Sequence, residues 1–175
     1  IVLPPVSSDS NTMLGDVNGD MVINVLDVIQ TVNMALGLQE PDYSTADLNQ
    51  DGEINILDIV QIVGIILDGR FVDATNAHFY NSNGALYLSA DGFIAGVQVT
   101  LSHDIDFSIN LTSEALYADY VTQGNQTKVI IVAPETEYLF TSNGDYEIIE
   151  SIVANSNSEV NTINPEEFYL ERAYP

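Results

Sequence analysis

The sequence predicts an α+β chain of two domains, a small helical N-terminal part followed by an antiparallel β-sandwich. Three observations predict it. A 12-residue oxygen-rich loop occurs twice at a constant offset of 31 residues (47 − 16), and each copy runs straight into an apolar stretch of helical length. From Asn76 onward the texture changes to short alternating segments parted by Asn-Gly, Asp-Gly and Gly-Asn pairs. The expected division is an extended segment over 1–12, a helical unit over 13–70, a sandwich over 76–165 and a linker over 166–175. A chain of 175 residues accommodates two such units, since domains commonly run to about 100–150 residues.

The loops come first in the chain. Asp16-Val-Asn18-Gly-Asp20-Met-Val22-Ile-Asn24-Val-Leu-Asp27 recurs as Asp47-Leu-Asn49-Gln-Asp51-Gly-Glu53-Ile-Asn55-Ile-Leu-Asp58. A hard cation such as calcium takes about 6–8 oxygens, and a 12-residue loop offers them from positions 1, 3, 5, 7 and 12, with position 9 acting through water. The first loop complies with the side chains of Asp16, Asn18, Asp20 and Asp27, the carbonyl of Val22, and Asn24 placed to hold a water. The second complies with Asp47, Asn49, Asp51 and Asp58, the carbonyl of Glu53, and Asn55. Two calcium ions are therefore expected, and without them three carboxylates in each loop repel one another. Position 12 carries Asp rather than Glu, a shorter arm. Position 6, where Gly permits the sharp turn, is Gly52 in the second loop and Met21 in the first.

A helix is predicted after each loop, over Val25-Leu-Asp-Val-Ile-Gln-Thr-Val-Asn-Met-Ala-Leu36 and Ile56-Leu-Asp-Ile-Val-Gln-Ile-Val-Gly-Ile-Ile-Leu67. Gly37 and Gly69 stand where a helix C-terminus favours glycine. The second stretch is apolar nearly all round, the mark of a helix covered on more than one side. Something besides the first helix must cover it. Loop then helix, written twice, resembles the dockerin family, over residues 13–69. The resemblance implies two bound calcium ions and a protein-binding module that docks onto cohesin domains through its helix faces. It further implies that loop positions 10 and 11 belong to the recognition surface. Here these are Val25, Leu26, Ile56 and Leu57, so the expected partner surface is apolar.

In the second half, strands are predicted around residues 78–80, 85–88, 94–101, 107–111, 129–133, 138–140 and 146–153, with turns at Asn83, Asp91, Gly124 and Asn143. Many short strands at this spacing argue for a sandwich. In the third, Val97, Val99 and Leu101 share one face and Gln98 and Thr100 the other, the pattern of a half-buried strand. The run Gly92-Phe-Ile-Ala-Gly-Val-Gln-Val-Thr-Leu-Ser-His-Asp104 resembles the early strand of cohesin-like sandwiches. The closing Phe168-Tyr-Leu-Glu-Arg-Ala-Tyr-Pro175 resembles the linker before the C-terminal sorting domain of proteins exported by type IX secretion, which implies a secreted or surface protein.

Composition narrows the functions. The formal net charge is −23, with three basic residues, Arg70, Lys128 and Arg172, too few to neutralise nucleic-acid phosphates. Binding to anionic membranes is disfavoured for the same reason, and no run is long and apolar enough to insert in a bilayer. Without cysteine there is neither a disulfide frame nor a thiolate metal site. Calcium dependence and scarce lysine fit an extracellular or cell-surface setting, and a chain beginning at Ile1 reads as a processed product. No catalytic constellation stands out. His103, Asp104 and Asp106 read as a polar turn after a strand, and paired acids are uninformative among 26 acidic residues. Asn110-Leu-Thr112 and Asn125-Gln-Thr127 are glycosylation sequons. The apolar Ile1-Val-Leu-Pro-Pro-Val6 could add as a strand to the sheet edge of another copy.

The expected function is non-catalytic calcium-dependent protein–protein assembly with a cohesin-like partner. Two alternatives stand beside it: a self-assembling filament subunit, joined head to tail or by exchange of the N-terminal strand, and a non-catalytic fragment of a larger secreted enzyme. The short connection from Arg70 to Thr75 also permits the helical unit to pack on its own sandwich.

Overall fold

The structure is a computed structural model and describes residues 13–68 and 71–162. The expectations for Ile1–Val6, Gly69, Arg70 and the C-terminal linker lie outside the described residues. Among the described residues three helices, α1 (Val25–Ala35), α2 (Tyr43–Ala46) and α3 (Ile56–Leu67), precede nine strands. These are β1 (Asn76–Ser82), β2 (Ala85–Ala90), β3 (Gly96–His103), β4 (Ser108–Leu111), β5 (Ala115–Gln123), β6 (Gln126–Pro134), β7 (Tyr138–Asn143), β8 (Tyr146–Ala154) and β9 (Asn161–Thr162). They form two sheets, β4-β7-β2-β1-β9 and β5-β6-β3-β8. All pairings are antiparallel except β1 with β9.

Local chemistry sets the boundaries. Asn24 and Asn55 cap α1 and α3 from the N-cap position, while Asp27 and Asp58, at N3, reach back to the cap backbone. This reciprocal arrangement satisfies donors that a helix start otherwise leaves open. α1 ends on Gly37 (φ 75°), with Leu38 N donating to Asn33 O and Gly37 N to Met34 O, the two bonds of a Schellman motif. The β1–β2 hairpin turns on Asn83 and Gly84, both at positive φ, as a two-residue loop matching the strand twist requires. The turn at Asn143 exists but links β7 to β8 across the two sheets.

Two cores stack on β3, β6 and β8. Between the sheets lie Leu86, Leu88, Val97, Val99, Leu101, Val129, Ile131, Phe140 and Val153. On the outer side of the four-stranded sheet, Ala95, Ile130, Val132 and Ala154 join Val28, Val32, Ile56, Ile59, Ile62 and Val63 of the helices. The helical unit thus sits on its own sandwich, and the sheet is the second cover that the apolar α3 needs. This explains why Val129-Ile-Ile-Val132 does not alternate: β6 is buried on both faces. It also corrects the half-buried reading of β3, since Gln98 on the outer face is buried as well. Its partners across the strands are Ile130 and Ile152.

The connection to the sandwich is pinned. Asp91 accepts from Thr75 N at 2.7 Å and Asn76 N at 3.0 Å and from both of their side chains. Asp73 accepts from Ser156 N, Ser156 Oγ and Asn157 Nδ2. Phe71 stacks on Phe93 with ring centroids 4.0 Å apart. Gly92 admits this segment, because a Cβ there would stand 2.7 Å from Ala74 N and Val72 O.

Candidate metal-binding loops

The two loops share one hydrogen-bond frame, and in the first Asn24 Nδ2 also donates to Val22 O at 3.2 Å. In the first, Asp16 accepts from Asp20 N (3.1 Å) and Met21 N (2.9 Å), Asn18 Oδ1 from Asp20 N (2.8 Å), and Asp20 from Val22 N (2.9 Å). In the second, Asp47 accepts from Asp51 N (3.2 Å) and Gly52 N (3.0 Å), Asn49 Oδ1 from Asp51 N (2.9 Å), and Asp51 from Glu53 N (2.8 Å). Asn18 Nδ2 and Asn49 Nδ2 each donate to the carboxylate two residues on. Gly15 N donates to Thr45 O at 2.8 Å and ties the start of one loop to the approach to the other.

The position-12 residues do more than the sequence suggests. Asp27 Oδ1 accepts from Val17 N and Asn18 N, and its Oδ2 from Asn24 N. Asp58 repeats this with Leu48 N, Asn49 N and Asn55 N. Both are fully buried, closing the loop and capping the helix at once. A carboxylate offers about four lone-pair sites, so three backbone donors leave each of these Asp residues one to offer. Asn24 and Asn55, expected to hold waters, instead turn their side-chain oxygens to Leu26 N and Leu57 N as caps.

Electrostatics favour a cation. Burial pushes the Asp58 carboxyl above the usual carboxylate range, Asp47 adds repulsion, and the donors from Asn55, Asn49 and Leu48 offset only part of this. Among the described residues the one Lys or Arg is Lys128, and its Nζ lies 3.4 Å from Ala35 O. It serves the C-terminus of α1 and not the loops. Among the described residues no three His, Cys, Asp or Glu side chains converge as a cage by themselves. The donor set is mixed, with amide and backbone oxygens interleaved between the acids. Asp16, Asn18, Asp20, Asp47, Asn49 and Asp51 all keep lone pairs beyond those the backbone uses, which fits a hard cation with an oxygen shell.

The residues at positions 10 and 11 divide. Val25 and Leu26 are 37% and 52% exposed, beside Met21 and Val22 at 78% and 57%, whereas Ile56 is 0% exposed against the chain's own sheet and Leu57 packs on the same core. Asn110 is exposed on β4. Asn125 is exposed too, yet its Nδ2 donates to His103 O at 2.9 Å. His103 is buried, stacked on Phe107 and bonded to Thr127 Oγ1, which makes it a packing residue.

Residues 14–67 match the dockerin type I domain. The dockerin region therefore comprises both loops, the three helices and the contact onto the sandwich. Dockerins are non-catalytic protein–protein assembly modules. Among solved structures, the non-cellulosomal cohesin from the hyperthermophilic archaeon Archaeoglobus fulgidus is similar at 10% identity with a TM-score of 0.33, over 60% of this chain and 97% of that one. The two-sheet sandwich described above rests on its own strand pairing. No curated protein matches the chain. Among the described residues no helix is long and apolar enough to cross a membrane.

Proposed function

We propose that this chain is an extracellular, non-catalytic assembly protein whose dockerin region holds one calcium ion in each loop and engages a protein partner of the cohesin type. The observation that carries the reading is the duplicated hydrogen-bond frame: two loops with matching donors, matching spare oxygens and no side-chain cation among the described residues to neutralise them. Asp16, Asn18, Asp20, the Val22 carbonyl and Asp27 would hold the first ion, and Asp47, Asn49, Asp51, the Glu53 carbonyl and Asp58 the second. Bound calcium supplies positive charge and draws each loop closed. Because each loop ends in the capping box of a helix, ion binding is helix formation, and metal-binding energy becomes folding energy.

The exposed Val25 and Leu26, with Met21 and Val22 beside them, are the surface available to the partner. Ile56 and Leu57 are engaged within the chain, so head-to-tail polymerisation through α3 first requires that helix to leave its own sheet. The test is calorimetric titration of calcium into the chelator-treated full chain, followed by circular dichroism. Two sites are expected in the parent, one in Asp16→Ala and one in Asp47→Ala, with helicity rising as calcium is added. Absence of calcium binding, or helicity indifferent to it, would overturn the reading.

A further inference from the structure

The two loops repeat in sequence but not in surroundings. Val25 and Leu26, just before Asp27, face solvent; Ile56, just before the equivalent Asp58, is seated in the sandwich. Its seat is cut to shape. A Cβ on Gly96 of β3 would stand 2.5 Å from Ile56 Cδ1 and 2.8 Å from Val60 Cγ1, so the first turn of α3 reaches the sheet backbone only because position 96 has no side chain. That same turn is where Asp58 closes the second loop and caps the helix. α1 joins the same core through Val28, Val32, Ala35 and Leu36, and its polar tie to the sandwich, Lys128 Nζ to Ala35 O, stands at the helix end away from its loop.

Beneath α3 lies an apolar sheet face. Ala95, Ile130, Val132 and Ala154 are all fully buried there. Gln98 lies on this outer face with its side-chain Oε1 buried and lacking a hydrogen-bond partner. An orphaned polar atom of this kind favours opening, since water would satisfy it.

We infer that the second loop is a calcium-held latch: its ion keeps the first turn of α3 formed and keyed into Gly96, and so keeps the outer face of the β5-β6-β3-β8 sheet covered, while the first loop has no such hold. The inference rests on the calcium reading above and goes beyond it by giving the two ions different duties. Loss of the second ion unseats Ile56 and exposes Ala95, Ile130, Val132 and Ala154 to solvent. Loss of the first leaves that face shut.

The chain contains no cysteine, so a single Ala154→Cys in the full chain is a clean reporter of opening through its rate of reaction with a thiol reagent. The rate is read in calcium and in chelator, in the parent background and with Asp16→Ala or Asp47→Ala, and bound calcium is measured by titration on the same samples. With calcium at about 100 times its dissociation constant, linkage predicts labelling about 100-fold slower than in chelator. Asp47→Ala should restore fast labelling in calcium, whereas Asp16→Ala should stay within about twofold of the parent, the coupling typical of separate sites. Calcium binding with no change in labelling, or equal release by both variants, overturns the latch and leaves the calcium reading intact; failure to bind calcium overturns both. If Ala154→Cys does not fold, hydrogen exchange across Ile56–Leu67 in the cysteine-free variants reads the same opening. Protection lost in Asp47→Ala and kept in Asp16→Ala supports the latch, and equal loss overturns it.

Discussion

At the scale of single residues, the loops place left-handed backbone at positions 4 and 6 and divide their glycines differently. The first loop has Gly19 (φ 73°) and Met21 (φ 69°); the second has Gln50 (φ 59°) and Gly52 (φ 89°). Left-handed backbone costs a non-glycine residue about 1–2 kcal/mol, whereas glycine carries an entropic cost of about 0.5–1 kcal/mol, so the strain term wins. Met21→Gly should therefore stabilise the calcium-loaded protein by about 0.5–1 kcal/mol, and Gly52→Met should destabilise it by a similar amount. Chemical denaturation in calcium measures both, and a destabilised Met21→Gly would show that the exposed Met21 side chain contributes more than its backbone costs. The repeated turn frame of the loops was legible because the Asp and Asn side chains that accept from its backbone recur at fixed spacing, and spacing survives in a sequence. The capping duty of Asn24 and Asn55 was not, because Asn at a loop end serves a water or a helix start equally well and only the backbone direction decides.

At the scale of elements, the loop–helix units and seven of the strands were legible from periodicity and turn pairs. β5 was not. In Ala115–Gln123 the large residues Leu116, Tyr117, Tyr120 and Val121 fall at helical rather than alternating intervals, and the hairpin with β6 overrides that preference by pairing from Ala115↔Pro134 to Gln123↔Gln126. β9, at two residues, carries no periodicity to read. The burial of Gln98 was hidden for a different reason: a polar residue on an alternating strand reads as solvent-facing unless a remote helix covers it. That cover depends on the fit between Ile56 and Gly96. Gly96→Ala should cost about 1–3 kcal/mol through overpacking, and adding Ile56→Ala should recover part of the loss by removing the atoms that clash. A double-mutant cycle by thermal unfolding tests this, since touching residues should couple by about 0.5–3 kcal/mol. Strict additivity would mean that α3 does not rest on β3 in solution.

At the scale of the whole molecule, the charge of −23 and the pinned linker respond to acid in opposite directions. Lowering pH from neutral relieves self-repulsion, which favours the compact state. The linker carboxylates act the other way. Asp91 is held far below the usual carboxylate range by the backbone and side-chain donors of Asn76 and Thr75. For Asp73, burial pushes upward, but the hydrogen bonds from Ser156 and Asn157 outweigh it and leave the carboxyl lowered. A depressed folded-state pKa means that the unfolded chain binds more protons, so the stabilisation is complete above the unfolded value of about 3.9 and is lost as pH falls below it. Without calcium, stability should therefore rise gently as pH drops from 7 toward about 4 and then fall. Asp91→Asn should flatten the fall below about pH 4 while leaving the rise above it unchanged. Denaturation midpoints across pH, in chelator, measure the two limbs separately. Added salt should raise stability at pH 7, where the charges it screens dominate, with little effect on the acid limb, because that limb comes from hydrogen-bonded contacts at Thr75, Asn76, Ser156 and Asn157 rather than from the field of the whole chain. An acid limb that Asp91→Asn leaves unchanged would show that the contacts of Asp91 with Thr75 and Asn76 do not set it.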